Sequence, residues 1–119
     1  MLNDKKKNLV TIIMNCHNGE KFIKRSISSV LKQKYKKFEI IFYDNFSNDN
    51  TRKLIKEFKD KRIKYYKSNK YLKLYDARNE AIKKSKGEFI TFLDIDDEWH
   101  KEKLKHQIRQ FEKYDHDVN

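Results

Sequence analysis

Short apolar runs alternate with amphipathic segments along the whole chain. Residues 9–14 are largely β-branched and almost continuously apolar, which is typical of a strand buried on both faces. After the turn at Asn18-Gly19, apolar residues recur at helical spacing with Lys and Ser between them, which predicts a helix. The same alternation predicts further strands at residues 38–43, 63–66 and 89–93, and further helices with apolar faces at residues 54–58, 77–82 and 104–111.

Crossovers of about 20 to 30 residues between strands are typical of right-handed βαβ units that build a parallel sheet. The pattern therefore predicts an α/β fold, a Rossmann-like three-layer sandwich with a mostly parallel sheet. Ser47 or Asn48 can cap the second helix, and Gly87 lies near the expected end of the third. The chain has no proline, internal repeat or low-complexity linker, so one domain over residues 1–119 is expected.

Composition narrows the class of protein. The 119 residues suffice for one domain, and the single cysteine, Cys16, cannot form an internal disulfide. We interpret Cys16 as a small buried apolar residue rather than a nucleophile. No apolar run approaches the roughly 18 residues of a membrane span, and the run after the basic N-terminus is shorter than a signal peptide requires. A cytoplasmic protein is expected.

The formal net charge of +11 raises the alternative of a nucleic-acid-binding module. Most of the basic residues are lysine, whereas bidentate recognition of phosphate and guanine favours arginine. The densest basic stretch, residues 52–73, is divided between a predicted helix and a predicted strand. We therefore favour a solvated lysine surface over a specific nucleic-acid interface, and peripheral contact with an anionic membrane stays open.

Polar and acidic side chains follow the predicted strands, at the edge where parallel sheets bind ligands. They are Asn15, His17, Asp44, Asn45 and the carboxylates of residues 94–98. Carboxylates so close together repel one another unless a cation neutralises them, and Asp94, Asp96 and Asp97 suit oxygen ligation of Mg²⁺ or Mn²⁺. The alternative is that Asp96 and Asp97 cap a helix beginning near Trp99, and for Glu98 we favour that alternative.

Five segments, in order along the chain, resemble the motifs of family 2 glycosyltransferases with the GT-A fold. They are VTIIMNCHN at residues 10–18, SISSVLKQ at 26–33, YDNFSNDNT at 43–51, DARN at 76–79 and GEFITFLDIDDEW at 87–99. The third resembles the "DDGSTDNT" element, the fourth the "ARN" helix start, and the last the strand that ends in the DxD motif. This succession covers nearly the whole chain and is far more specific than a lone DxD motif.

The resemblance implies a role for each candidate residue. The residues that it assigns to the nucleotide sugar are Asn15, His17, Asp44, Asn45, Arg78, Asp94 and Asp96, and those that it assigns to Mg²⁺ or Mn²⁺ are Asp96, Asp94 and Asp97. Asn45 stands where the family usually has a second Asp, and its amide can donate as well as accept a hydrogen bond. For Arg78, which would meet nucleotide or diphosphate oxygens, the alternative is a surface ion pair with Asp76 or Glu80.

The resemblance also implies a reaction. A nucleotide-diphosphate sugar, expected to be a UDP-sugar, donates its glycosyl group to a hydroxyl of a glycan or lipid-linked acceptor. This hexosyl transfer, of the inverting type, would serve cell-surface polysaccharide or lipopolysaccharide synthesis at the inner face of the membrane. The family's acidic catalytic base lies beyond the DxD helix, so the base is expected beyond Asn119, in an acceptor half that a chain truncated after that helix lacks.

Two alternatives to a glycosyltransferase follow from the residues. One is the lysine-rich nucleic-acid-binding module without catalysis. The other is a phosphatase of the haloacid-dehalogenase type, because residues 92–97 are similar to the loop that carries its aspartyl nucleophile.

Overall fold

The structure is a computed structural model that describes the backbone of residues 5–118 and the side chains of residues 5–113. Strands and helices alternate along it, as the hydrophobic pattern predicts. They are β1 (Lys6–Cys16), α1 (Ile23–Leu31), β2 (Phe38–Asp44), α2 (Thr51–Lys56), β3 (Ile63–Lys67), α3 (Leu74–Lys83), β4 (Gly87–Phe92) and α4 (Lys103–Val118). None of the described helices is long and apolar enough to cross a membrane.

The described strands form one parallel sheet in the order β3-β2-β1-β4. This order confirms the predicted α/β fold. After β1 the chain adds β2 and then β3 on one side of β1, and it then crosses to the other side to add β4. The order of the strands therefore reverses direction beside β1. Crevices at the carboxyl ends of strands beside such a switch point are where open α/β sheets bind ligands. The loops after β1, β2 and β4 meet at this edge, which we call the carboxyl edge.

Side chains of β1 alternate between two cores, one on each face of the sheet. Ile12 and Met14 pack in a large core that includes α1, α2 and α4. Ile13 packs in a smaller core with Ala77 and Ala81 of α3. All seven residues of the central strand β2 are buried, as expected for a strand covered on both faces. The structure is therefore a three-layer sandwich.

Two predicted helix boundaries are wrong, each because a tertiary contact competes with the local signal. Neither Ser47 nor Asn48 caps α2, which begins at Thr51. Asn18 binds both instead: its N–H donates to Ser47 Oγ at 2.8 Å, and its Oδ1 accepts from the Asn48 N–H at 2.9 Å. Gly87 does not end α3 but begins β4, where a Cβ would lie 2.7 Å from the Leu9 carbonyl oxygen.

Candidate functional site

The loops at the carboxyl edge are tied to one another by hydrogen bonds that backbone N–H groups donate. The Asn45 N–H, just after β2, donates to the Cys16 carbonyl at the end of β1 at 2.7 Å. The Gly19 N–H donates to Oγ1 of Thr51, the first residue of α2, at 3.0 Å. The exits of β1 and β2 therefore form one connected surface rather than two independent loops.

Asp44, the last residue of β2, is fully buried, and protein groups bind both its carboxylate oxygens. Oδ1 accepts the Ser47 N–H at 3.0 Å, and Oδ2 accepts the Tyr65 hydroxyl at 2.5 Å. Burial, together with this bond to Asp44, raises the pKa of Tyr65. In this structure Asp44 organises the loop after β2. The nucleotide contact assigned to it by resemblance stays a prediction.

Asn45 uses both ends of its amide to hold the loop between β3 and α3. Nδ2 donates to the Leu72 carbonyl at 2.8 Å, and Oδ1 accepts the Leu72 N–H at 2.8 Å. A carboxylate at this position has no N–H to donate to the carbonyl. This pairing gives a physical reason for an amide where the family usually has Asp, and the nucleotide contact of Asn45 likewise stays a prediction.

His17 lies exposed at the carboxyl edge and contacts an aromatic side chain that the sequence did not single out. Its Nδ1 lies 2.7 Å from the Asn45 carbonyl. Because a carbonyl only accepts, this bond assigns the proton to Nδ1, which leaves Nε2 to accept from Asn18 Nδ2 at 3.3 Å. The ring of Tyr71 meets the His17 ring with centroids 4.9 Å apart and planes at 77°. Tyr71 is 61% exposed.

Three predicted residues from three different elements line one small cavity at the switch point. Asn15 of β1, Arg78 of α3 and Asp94 after β4 surround about 40 Å³, together with Leu74 and Phe92. Asn15 Nδ2 donates to the Ala77 carbonyl at 3.1 Å, and the Arg78 guanidinium lies 5.4 Å from the centroid of the Phe92 ring. The ion-pair alternative for Arg78 is wrong for the described side chains, because neither Asp76 nor Glu80 lies within ion-pair distance of it, and Glu80 pairs with Lys83 at 2.7 Å instead.

The acidic loop after β4 is exposed and carries the proposed metal ligands. The Asp97 N–H donates to the Asp94 carbonyl at 3.0 Å, and Arg25 donates to the Asp96 carbonyl at 3.0 Å. Among the described residues, no three His, Cys, Asp or Glu side chains are grouped so that they could hold a metal ion. The donor chemistry fits a hard ion held by one or two carboxylates, with ligand and water oxygens in the other positions.

Two buried polar side chains, one in α1 and one just beyond its end, hold the far end of the acidic loop. Ser29 Oγ accepts the Trp99 N–H at 3.0 Å. The fully buried Gln33 donates to the His100 carbonyl at 2.6 Å and accepts the Leu104 N–H at 3.0 Å. The sequence offered a signal that we missed, since Ser29 is a polar residue on the apolar face of α1 and Gln33 continues the same spacing just beyond the end of the helix.

No helix begins near Trp99 in the described part of the chain. The next helix is α4, which begins at Lys103, so the alternative that Asp96 and Asp97 cap a helix there is wrong. Glu98 caps nothing either, and its carboxylate lies 3.9 Å from Arg25. The physical reason is that Ser29 binds the Trp99 N–H and Gln33 binds the His100 carbonyl, so these backbone groups have partners outside a helix.

Cys16 lies beneath the site with its side chain buried, as predicted. Burial raises the pKa of its thiol to about 12. A thiol with so high a pKa is protonated at neutral pH and is a weak nucleophile. Cys16 therefore belongs to the packing of the carboxyl edge and not to its chemistry.

The sheet order, with an acidic loop beside its switch point, defines a Rossmann-like α/β protein, in agreement with the GT-A fold that the resemblance implies. The sequence profile of Glycosyl transferase family 2 matches residues 11–119, so the chain belongs to that family. The phosphatase alternative is therefore wrong. In the haloacid-dehalogenase pattern the aspartyl loop stands early in the chain, whereas here Asp94 follows the fourth strand.

Similar proteins support this membership. The chain is 50% identical over 101 residues to the UDP-Glc:alpha-D-GlcNAc-diphosphoundecaprenol beta-1,3-glucosyltransferase WfgD of Escherichia coli, with 84% of this chain and 40% of that protein covered. The crystal structure of S. aureus TarS 1-349 matches with a TM-score of 0.82 and 29% identity, over 87% of this chain and 32% of that one. TarS 1-349 also has a crystal structure in complex with UDP-GlcNAc.

A further structure is similar in fold alone. The mannosyltransferase PcManGT from Pyrobaculum calidifontis, in complex with GDP-Man and Mn²⁺, matches with a TM-score of 0.76 and 23% identity. The match covers 83% of this chain and 31% of that one. The chain thus spans about 40% of the length of its relative from Escherichia coli, and less of the two solved structures.

Proposed function

We propose that this chain is the donor-binding part of a glycosyltransferase of cell-surface polysaccharide synthesis. It binds a nucleotide-diphosphate sugar, a UDP-sugar by preference, together with Mg²⁺ or Mn²⁺. The observation that carries the proposal is the meeting of Asn15, Arg78 and Asp94 around one cavity at the switch point of the sheet. The cavity of about 40 Å³ is smaller than a nucleotide, so it marks only where a cation, an amide and a carboxylate meet, and these groups suit phosphate oxygens and ribose hydroxyls.

The roles proposed for these side chains follow from their charge and position. Arg78 binds diphosphate oxygens through its guanidinium, and Asn15 and Asp94 bind hydroxyls of the ribose. Asp96, together with Asp94 or Asp97, would hold the divalent ion, and the ion would supply positive charge to the nucleotide diphosphate that departs. His17, Asp44 and Asn45 belong to the nucleoside side of the same edge.

The partners proposed for the whole enzyme are inferred from the relatives. WfgD takes its name from UDP-Glc and a lipid-linked acceptor, TarS 1-349 was crystallised with UDP-GlcNAc, and the more distant mannosyltransferase with Mn²⁺. We infer a glycan or lipid-linked acceptor at the inner face of the membrane. Transfer would also need an acidic base to deprotonate the acceptor hydroxyl, and the family resemblance puts that base beyond residue 119.

Calorimetry of the 119-residue chain with UDP tests the proposal. We expect UDP to bind in the presence of Mn²⁺ or Mg²⁺ and not in EDTA. We expect Asp96→Asn to remove this difference, because its binding of UDP in Mn²⁺ should fall to the level seen in EDTA. Glu57→Gln is the matched control, because this exposed carboxylate follows α2, at the opposite edge of the sheet. Equal affinity for UDP in EDTA would contradict the proposal.

The same titrations distinguish donor binding from the nucleic-acid alternative. A lysine surface that binds polyanions predicts affinity for an oligonucleotide that falls steeply with salt and is indifferent to divalent ions beyond screening. Donor binding predicts the reverse dependence for UDP. If the chain bound an oligonucleotide in this salt-dependent way and failed to bind UDP at any metal concentration, the alternative would replace the proposal.

A further inference from the structure

Three side chains in one row along α1 bind the backbone of the acidic loop (residues 94–98) and of the segment after it. Arg25, Ser29 and Gln33 follow one another at intervals of four residues, which places them on one side of the helix and its end. Arg25 Nη2 donates to the Asp96 carbonyl at 3.0 Å, and Ser29 Oγ accepts the Trp99 N–H at 3.0 Å. Gln33 holds the backbone beyond that point. The row therefore fixes this part of the chain along its length.

Arg25 is the member of this row that reaches the proposed metal ligands. Besides its bond to the Asp96 carbonyl, its Nε lies 3.9 Å from Oε1 of Glu98. Both side chains of this ion pair are more than half exposed, so the pair contributes little by itself. The bond to the carbonyl is charge-assisted and is the stronger contact. The ring of Phe22, with its centroid 5.9 Å from the guanidinium carbon, supports the side chain of Arg25 in this position.

The residues on either side of Asp96 are held as well. Ile95 is partly buried and packs against the large core. The Asp97 N–H donates to the Asp94 carbonyl at 3.0 Å, which closes a turn around them. Asp94 and Asp96 themselves are exposed. The loop therefore combines a fixed backbone with exposed carboxylates, and a cation site benefits from ligands that are held in place before the ion arrives.

We propose that Arg25 is a positioning residue for the divalent ion, because it holds the backbone of Asp96 where the carboxylate of that residue can bind the ion. This inference rests on the proposed function. Arg25 acts through the loop and contacts neither the ion nor the nucleotide. Without the guanidinium, the Asp96 carbonyl would bind water and the loop would sample several conformations. Binding of the ion would then have to order the loop, and that cost would lower the affinity for the ion.

Two variants of α1 test this role. Arg25→Gln removes the guanidinium, and the control Lys24→Gln removes the same charge from the neighbouring exposed residue. The first measurement is the heteronuclear ¹⁵N NOE of the backbone amides of residues 96–98, in the absence of metal and nucleotide, which reports motion on the picosecond to nanosecond timescale. We expect this NOE to fall in Arg25→Gln and to match the wild type in Lys24→Gln.

The second measurement is the affinity for Mn²⁺ at a fixed concentration of UDP, from calorimetric titrations. Loss of a group that orients a metal ligand typically costs about 10- to 100-fold in metal affinity, and we expect a loss of about tenfold in Arg25→Gln. Lys24→Gln should stay close to the wild type, since an effect of charge alone would be common to both variants. Arg25 is exposed, so both variants should fold, and thermal unfolding checks this.

The outcomes separate this inference from the proposed function. If Arg25→Gln binds Mn²⁺ like the wild type, or if Lys24→Gln loses as much affinity, the positioning role is overturned while donor binding stands. If Arg25→Gln loses affinity but its loop stays as ordered as in the wild type, Arg25 acts on the ligand directly, and the positioning role is again overturned. If the wild type does not bind UDP with Mn²⁺, the proposed function fails and this inference fails with it.

Discussion

Gly19 provides the sharpest test of the packing beneath the site. It lies in the turn between β1 and α1, where an added Cβ would stand 2.5 Å from Cys16 Sγ and 2.9 Å from Ile95 Cγ1. Non-bonded carbon atoms prefer separations of about 3.5–4.0 Å, so Gly19→Ala requires a shift of about 1 Å. Cys16 is fixed at the end of a buried strand, and the Gly19 N–H is bound to Thr51. Overpacking of this kind costs about 1–3 kcal/mol.

Urea unfolding measures that cost. At a slope of about 2 kcal/mol per molar urea, which is typical of a small domain, the midpoint should fall by about 0.5–1.5 M with the slope unchanged. The cause is tested by a double-mutant cycle with Cys16→Ala, which removes the sulfur atom that the new methyl group meets. The two changes should be coupled, with the double variant at least about 1 kcal/mol more stable than the sum of the singles predicts. Additive effects would refute the steric explanation.

Three further predictions concern buried polar groups. Tyr65→Phe removes the hydroxyl bound to Asp44 and should destabilise by about 1.5–3 kcal/mol in thermal unfolding, whereas Tyr66→Phe should change stability little. Gln33→Leu leaves the His100 carbonyl and the Leu104 N–H without their side-chain partner, so it should accelerate hydrogen exchange of the Leu104 amide by about fivefold or more, a loss of about 1–3 kcal/mol. Burial raises the pKa of Cys16 from 9.0 to about 12. Between these pH values the unfolded chain binds fewer protons than the folded chain, so the free energy of unfolding falls as the pH rises. The Cys16→Ala variant should lose less stability over this pH range.

The fold was largely predictable because its strands are unusually clear in the sequence. Residues 9–14 and 38–43 are apolar runs that the structure buries on both faces, and the helices between them show apolar residues at helical spacing. The predictions that failed concern the ends of helices, because these depend on contacts between residues that are distant in sequence. By its local sequence Ser47 is a good N-cap residue for α2. Its hydroxyl oxygen instead accepts a hydrogen bond from the N–H of Asn18, 29 residues away. Gly87 is a good helix terminator, yet the space beside Leu9 decides its place in β4.

The set of residues in the site was predictable from the sequence, but the structural role of each residue was not. The order of strands puts polar exits at one edge, and so the sequence could bring Asn15, Arg78 and Asp94 together. It could not show that Asp44 is enclosed, because the partner of that carboxylate, Tyr65, lies on another strand. Tyr71 was missed for the converse reason, since exposure of a tyrosine beside a histidine is a property of the folded loop.

The charges of the molecule act on the proposed donor at two distances. A net charge of +11 attracts a diphosphate from afar, but that attraction is screened beyond roughly 8 Å at physiological salt. At contact range the interaction with the acidic loop is repulsive, because Asp94, Asp96 and Asp97 repel phosphate oxygens unless a cation lies between them. Arg78, which lines the same cavity as Asp94, offers positive charge within the site. Salt should therefore slow the encounter with the donor, whereas removal of the divalent ion should abolish the complex itself.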